Sequence, residues 1–163
     1  MRELTAEEIS SCFVNCSAKD LEKLELPQDL ADRPWPTLDF LGWIDPSTPL
    51  RGYLVVDLPE GLTGVRLRFP GNPPSTRRPS MCSFCHTVHA VGGVALVSAP
   101  RRAGESAGSF GTYACADLAC SLHVRDLTGP FHGVPARETI GYDHSVERLR
   151  TNVAAFVHRV MRG

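Results

Sequence analysis

Four cysteines stand in two close pairs, Cys82 and Cys85 in MCSFCHTVH and Cys115 and Cys120 in YACADLACS, with twenty-nine residues between the pairs. Thiolates are soft ligands, and two such pairs held apart by a folded connection can occupy the four tetrahedral corners of a structural zinc site. Cys82-Ser-Phe-Cys85-His86 also has the letter pattern of covalent haem attachment, but that chemistry needs an exported chain and leaves the second pair without a role. A thioredoxin-like redox pair would open a helix in a βαβ unit, whereas a turn and a strand are expected after Cys85. Catalytic zinc keeps three protein ligands and an open water position; four cysteines close the shell. His86, His89 and His123 could each replace a thiolate, yet each fits better beside the ligands or on the surface.

Other chemistry has little footing. The chain has no GxSxG, no P-loop, no HExxH and no Gly-rich phosphate fingerprint after a strand. Cys12 and Cys16, four apart on an expected first helix, would share a face and read as a buried small-residue stripe. The expectation is a chain that is not an enzyme and has no small-molecule substrate.

The zinc pairs must be positioned by a core, and 163 residues with 42% apolar content suffice for one. No apolar run approaches the roughly 20 residues of a membrane-spanning helix. The opening MRELTAEEISSCF lacks the basic start, apolar stretch and small-residue cleavage site of a secretory signal. A cytoplasmic location is expected, where thiols stay reduced and paired cysteines bind metal before they form disulfides.

Charge is divided along the chain. Residues 1–60 carry five Lys and Arg against twelve Asp and Glu, and residues 61–163 carry twelve against six. Fifteen of the seventeen basic residues are arginine, the side chain suited to bidentate contact with carboxylate or phosphate. An acidic protein surface or RNA would suit such a half, and a dispersed solvated surface would account for it equally well.

Thr5-Ala-Glu-Glu8 fits a capping box, and apolar residues at helical period predict a first helix from Ala6 to about Leu24, ended by Pro27. Residues 27–50 should wrap irregularly, with Trp35, Phe40 and Trp43 anchored in the core. Tyr53 to Asp57 and Val65 to Phe69 predict a β-hairpin. The Pro-rich loop 70–80 then delivers the chain to Cys82. Strands are expected at Gly93 to Ser98 and Phe110 to Ala114 around an Arg- and Gly-rich loop (101–109). A short helix at Ala116 to Val124 follows, then a Gly- and Pro-rich connection (129–142). A last helix from Asp143 to Ser145 onward lines up Val146, Leu149, Val153, Phe156, Val157 and Val160 to pack on the sheet.

The order knuckle, strand, loop, strand, cysteine pair, helix is similar to a treble-clef zinc finger. The segments FVNCS, LDFLGWIDP, YLVV, MCSFCHTVH, RRAG, GTYACADLACSLHVRD and VERLRTNVAAFVHRV together resemble the FBP-type treble-clef domain. That domain is related to the C-terminal part of the FusB fusidic-acid-resistance proteins, which bind elongation factor G. The resemblance spans nearly the whole chain. It implies one structural Zn2+ on Cys82, Cys85, Cys115 and Cys120, and a partner in translation, elongation factor G or the ribosome. It also implies a single α+β domain over 1–163, an antiparallel sheet with flanking helices, with the zinc subregion at about 80–126 and the last helix at about 144–162. FusB proteins place a helical bundle ahead of the zinc domain; one helix before residue 27 does not make such a bundle, so drug resistance itself is not expected. Phe84, Arg101, Arg102, His123 and Arg125, around the knuckle and the helix after it, are the expected partner contacts. An arginine-rich RNA-binding zinc module is the alternative.

Overall fold

The hairpin read from the two β-rich segments forms the middle of a five-stranded antiparallel sheet in the computed structural model, which describes residues 1–71, 78–102, 108–128 and 141–162. Its strands are β1 (Leu41–Ile44), β2 (Arg51–Leu58), β3 (Gly61–Arg68), β6 (Val94–Pro100) and β7 (Ser109–Cys115), in the spatial order β1-β2-β3-β6-β7. A two-stranded ribbon, β4 (Ser80–Met81) with β5 (Val88–His89), lies between β3 and β6 in sequence. The β2–β3 register pairs Leu58 with Gly61, which leaves Pro59 and Glu60 as a two-residue turn. β3 meets β6 at Arg68 and Ser98. Most of the 70–80 and 101–109 loops and of the 129–142 connection lies outside the described residues.

Alternation along the strands divides the core in two. On one face Leu54, Val56, Leu58, Val65, Leu67, Val97 and Ala99 pack under a long helix, α4 (Tyr142–Met161). Val146, Leu149, Val153, Phe156, Val157 and Val160 of that helix are all buried, as the 3.6-residue period requires. Phe156 meets Phe84 and Phe110 ring against ring; truncating such a side chain to alanine typically costs about 3–5 kcal/mol. On the other face Leu41, Trp43, Tyr53 and Val55 are covered by the first 38 residues, chiefly Leu4, Ile9, Trp35 and Leu38. The expected anchors Trp35, Phe40 and Trp43 are all buried.

The single N-terminal helix is corrected to two short ones, α1 (Ala6–Ser11) and α2 (Ala18–Leu21). Between them the chain runs extended beside β3: Val14 N–H donates to Gly64 O and Gly64 N–H donates to Cys12 O, each at 2.9 Å. Asn15 fixes the break. Its buried amide donates to Arg66 O and Pro100 O, and its oxygen accepts from Arg66 N–H at 2.7 Å. A second capping box, Ser17 with Asp20, then restarts the helix. Gly64 permits this approach, since a Cβ there would lie 2.8 Å from Cys12 Sγ and from Phe13 Cδ1. Cys12 and Cys16 therefore do not share a helical face. β1 is a strand inside the stretch expected to be irregular.

Candidate metal centre

The ribbon β4–β5 and a tight turn build the first half of the site. Cys82 N–H donates to Thr87 O at 3.0 Å and His86 N–H to Cys82 O at 2.9 Å, and His86 takes a left-handed φ of 59°. This reversal turns Cys82 and Cys85 to the same side. Cys115 is the last residue of β7, and Cys120 is the first of a short helix, α3 (Cys120–His123). The helix expected from Ala116 is shorter because Leu118 adopts a φ of 56° and Asp117 Oδ1 accepts from Ala119 N–H at 2.9 Å. Together these hold 116–119 as a turn.

The four sulfurs converge, and all four residues are buried. Cys82 Sγ lies 3.7 Å from Cys120 Sγ, and Cys85 Sγ lies 3.5 Å from Cys115 Sγ. A disulfide would need about 2.05 Å. The tetrahedral edge that follows from a Zn–S bond of about 2.3 Å is roughly 3.8 Å. The donor set thus fits zinc: four thiols, one small sphere, no bridge. Burial, followed by the neighbouring Cys115, Cys82 and Cys85 sulfurs, pushes the Cys120 thiol well above its ordinary value. Apolar burial of four mutually repelling sulfurs makes sense when a divalent cation compensates them. The four cysteines are positioned to bind one zinc ion, which leaves a formal −2 at a closed tetrahedral centre.

Donors surround that charge. Phe84 N–H donates to Cys82 Sγ at 3.3 Å, and His89 Nε2 is 3.2 Å from Cys115 Sγ. A thiolate only accepts, so His89 is the donor in the metal-bound site. The His89 ring, 4% exposed, stands edge-on to His123 with centroids 4.7 Å apart. His123 Nε2 is 2.8 Å from Asp117 Oδ2, and its Nδ1 is 2.8 Å from Thr128 Oγ1. Burial lowers the His123 pKa, but the Asp117 hydrogen bond and charge outweigh it and leave the net shift upward. His89, Cys115 and His123 also fall within ligand distance of one another. Both His123 nitrogens are engaged by Asp117 and Thr128, so the histidines form an outer shell that orients the thiolates.

The expected partner contacts differ in exposure. Phe84 is 1% exposed and packs between Phe40 and Phe156; its ring belongs to the core. The His123 side chain is 4% exposed and spent on Asp117. Arg125 is likewise turned inward, with NH1 and NH2 both on the Asp39 carboxylate and NH1 also donating to Ser121 O. Arg101 and Arg102 stand at the β6–β7 turn, where Arg101 N–H donates to Gly108 O and Arg102 N–H to Val160 O; Arg102 is exposed. Sequence reasoning passed over Asp39. Its carboxylate, 1% exposed, takes both Arg125 of the finger and Arg150 of α4, and so ties the zinc subregion to the helix. A lone Asp in a Pro-rich stretch gives no signal of that.

The model of the FBP C-terminal treble-clef zinc-finger family matches residues 8–160. Among solved structures, that of the fusidic acid resistance protein FusC is similar at 22% identity and a TM-score of 0.46, over 65% of this chain and 51% of that one. The chain therefore spans about half the length of FusC. No curated protein matches. No helix among the described residues is long and apolar enough to cross a membrane. With the family pattern running through both cysteine pairs, the sheet and α4, the chain belongs to the FBP C-terminal treble-clef zinc-finger family.

Proposed function

We propose that the chain is a non-enzymatic, zinc-stabilised binding domain whose partner is translation elongation factor G, free or on the ribosome. The family match over residues 8–160 carries this reading. The closed set of four buried thiols supports it, because a shell filled by protein ligands has no open position for a reacting water. Zinc bound there supplies a cross-link between the knuckle, the end of β7 and the start of α3. The chain's own residues do the rest: Phe84 keys the knuckle into the core, and Asp39 holds the finger to α4 through Arg125 and Arg150.

The arginine content weighs less toward RNA than its number suggests. Arg66 pairs with Asp20, Arg125 and Arg150 share Asp39, and Arg159 lies over the Phe110 ring. Sedimentation of the zinc-loaded chain with purified elongation factor G, and separately with ribosomes, tests the proposal. A one-to-one complex with the factor is expected. Ribosome binding that needs no factor and falls steeply with salt would favour the RNA alternative, and no complex in either arm would end the proposal.

A further inference from the structure

The face of the sheet that carries Trp43, Tyr53 and Val55 is sheltered by the N-terminal segment over β1–β3, and Asn15 of that segment reaches the Pro100 end of β6. Beyond it, on the same face, Leu96 and Tyr113 stand opposite each other in the β6–β7 register, 46% and 51% exposed. Beside them runs the outer edge of β7. In an antiparallel pair, successive residues alternate between bonding the neighbouring strand and facing away. Gly108 O accepts from Arg101 N–H and Ala116 N–H donates to Gly93 O, which puts the even-numbered residues of β7 on β6. Ser109, Gly111 and Tyr113 therefore turn their main-chain groups outward. The knuckle uses one of them, since Ser83 N–H donates to Tyr113 O at 2.7 Å. Among the described residues, nothing meets the Tyr113 N–H or the N–H and C=O of Gly111.

Such an edge is a template for another strand, and proteins usually blunt it with charge, proline or a bulge. Ser109-Phe110-Gly111-Thr112-Tyr113 has no charged residue and no proline. Gly111 adds an independent observation. Its φ is not among the positive ones, and a Cβ there would make only ordinary contacts, 3.6 Å to Val97 O and 3.7 Å to Leu96 Cδ1. Nothing within the described chain calls for glycine, although glycine weakens a strand. Close approach of another backbone does call for it.

We infer that the edge of β7, centred on Gly111, receives an extended segment of the partner protein as a sixth strand. Main-chain bonds to Gly111 and Tyr113 give this addition its affinity, and side chains alternate to either face. On one face a bulky apolar residue covers Leu96 and Tyr113. On the α4 face an acidic residue meets Arg159, whose guanidinium lies 5.0 Å from the Phe110 ring centroid. The inference rests on the elongation factor reading and names the surface that reading leaves open.

Two variants test it against purified elongation factor G. Gly111→Pro deletes an outward N–H without touching the β6–β7 ladder, a placement that proline tolerates. The double variant L96E/Y113E charges the apolar strip without altering any main-chain group. Zinc content and melting temperature are the controls; if Gly111→Pro loses either, the double variant decides. Each variant should bind about ten-fold or more weakly, the scale of one lost hydrogen bond. In the wild-type complex, amide exchange should slow at Gly111 and Tyr113. Undiminished binding by the folded variants, with unchanged exchange at those amides, overturns this inference and leaves the elongation factor reading standing. No binding by the wild type overturns both.

Discussion

Cys115→Ser removes one corner of the centre, and its consequences extend well beyond the lost ligand. Cys115 Sγ lies 3.5 Å from Cys85 Sγ and 3.2 Å from His89 Nε2, so the substitution opens the sphere on the side where the outer shell is anchored. All four cysteines and Leu118 belong to the same buried cluster as Phe84, Val97 and Phe156, so disorder at the knuckle reaches the sheet and α4. Structural zinc in small finger peptides contributes apparent free energies of ~10–16 kcal/mol, while whole domains are stable by only ~5–15 kcal/mol. Leu54, Val65, Val153 and Val157 of that cluster are not ligands, so only part of that free energy is expected to be lost to the whole chain. A loss of at least ~3 kcal/mol, the scale of one truncated core side chain, is expected, equal to about 6–12 °C in Tm for a chain of this size. Metal analysis and calorimetry on the same sample should show zinc and Tm falling together. Cys12→Ser, remote from the sphere, should change neither zinc content nor its retention. A Cys115→Ser protein that kept one zinc per chain and its original Tm would refute the ligand assignment.

Four further outcomes follow from single contacts. His89→Ala should weaken zinc retention by about 10–100-fold, as loss of an outer-shell partner does; chelator competition measures this, and an unchanged off-rate would mean that the 3.2 Å contact is incidental. Asp39→Ala leaves the inward-turned Arg125 without its carboxylate and should cost about 3 kcal/mol in urea denaturation; a cost under about 1 kcal/mol would remove Asp39 as the tie between finger and α4. Asn15→Ala breaks bonds to Arg66 and Pro100 and should cost about 3 kcal/mol; a shift within 0.5 kcal/mol, the usual scale of exposed surface changes, would contradict its role in splitting the N-terminal helix. Glu8 is held down to about 2 from an ordinary 4.5 by its Arg2 hydrogen bond and the Thr5 N–H. A depressed carboxylate adds stability above its unfolded value and loses it as pH falls through the folded one. Its NMR titration midpoint should therefore lie near 2, and a midpoint near 4.5 would mean that the capping box is open in solution.

What the sequence disclosed was what short spacing controls. The two cysteine pairs, the β2–β3 hairpin and the buried face of α4 were all legible because each depends on neighbours within a few residues. The split of the first helix was not, because its deciding bonds run from Asn15 to Arg66 and Pro100, far along the chain. The Ser17-x-x-Asp20 capping box was a local signal that could have shown the restart. β1 was hidden for a different reason: four residues among prolines become a strand only when Tyr53 and Val55 pair with them. The expected contacts at Phe84, His123 and Arg125 looked exposed because polarity and position in the knuckle say nothing of what packs over them. Their partners Phe156, Asp117 and Asp39 lie on other elements or across a turn. Once these side chains are placed inside, the exposed chemistry near the finger moves to the β7 edge, where alternation and register, not residue type, decide which groups face out.

The proposed function has two parts: zinc maintains a surface, and that surface binds elongation factor G. Isothermal titration of purified factor with zinc-loaded chain, and with the same chain stripped of zinc by chelator, tests both parts at once. A saturable one-to-one isotherm with the loaded chain, loss of binding on stripping, and recovery when zinc is returned are expected. Equal binding by the stripped chain, or none by the loaded one, would contradict the proposal.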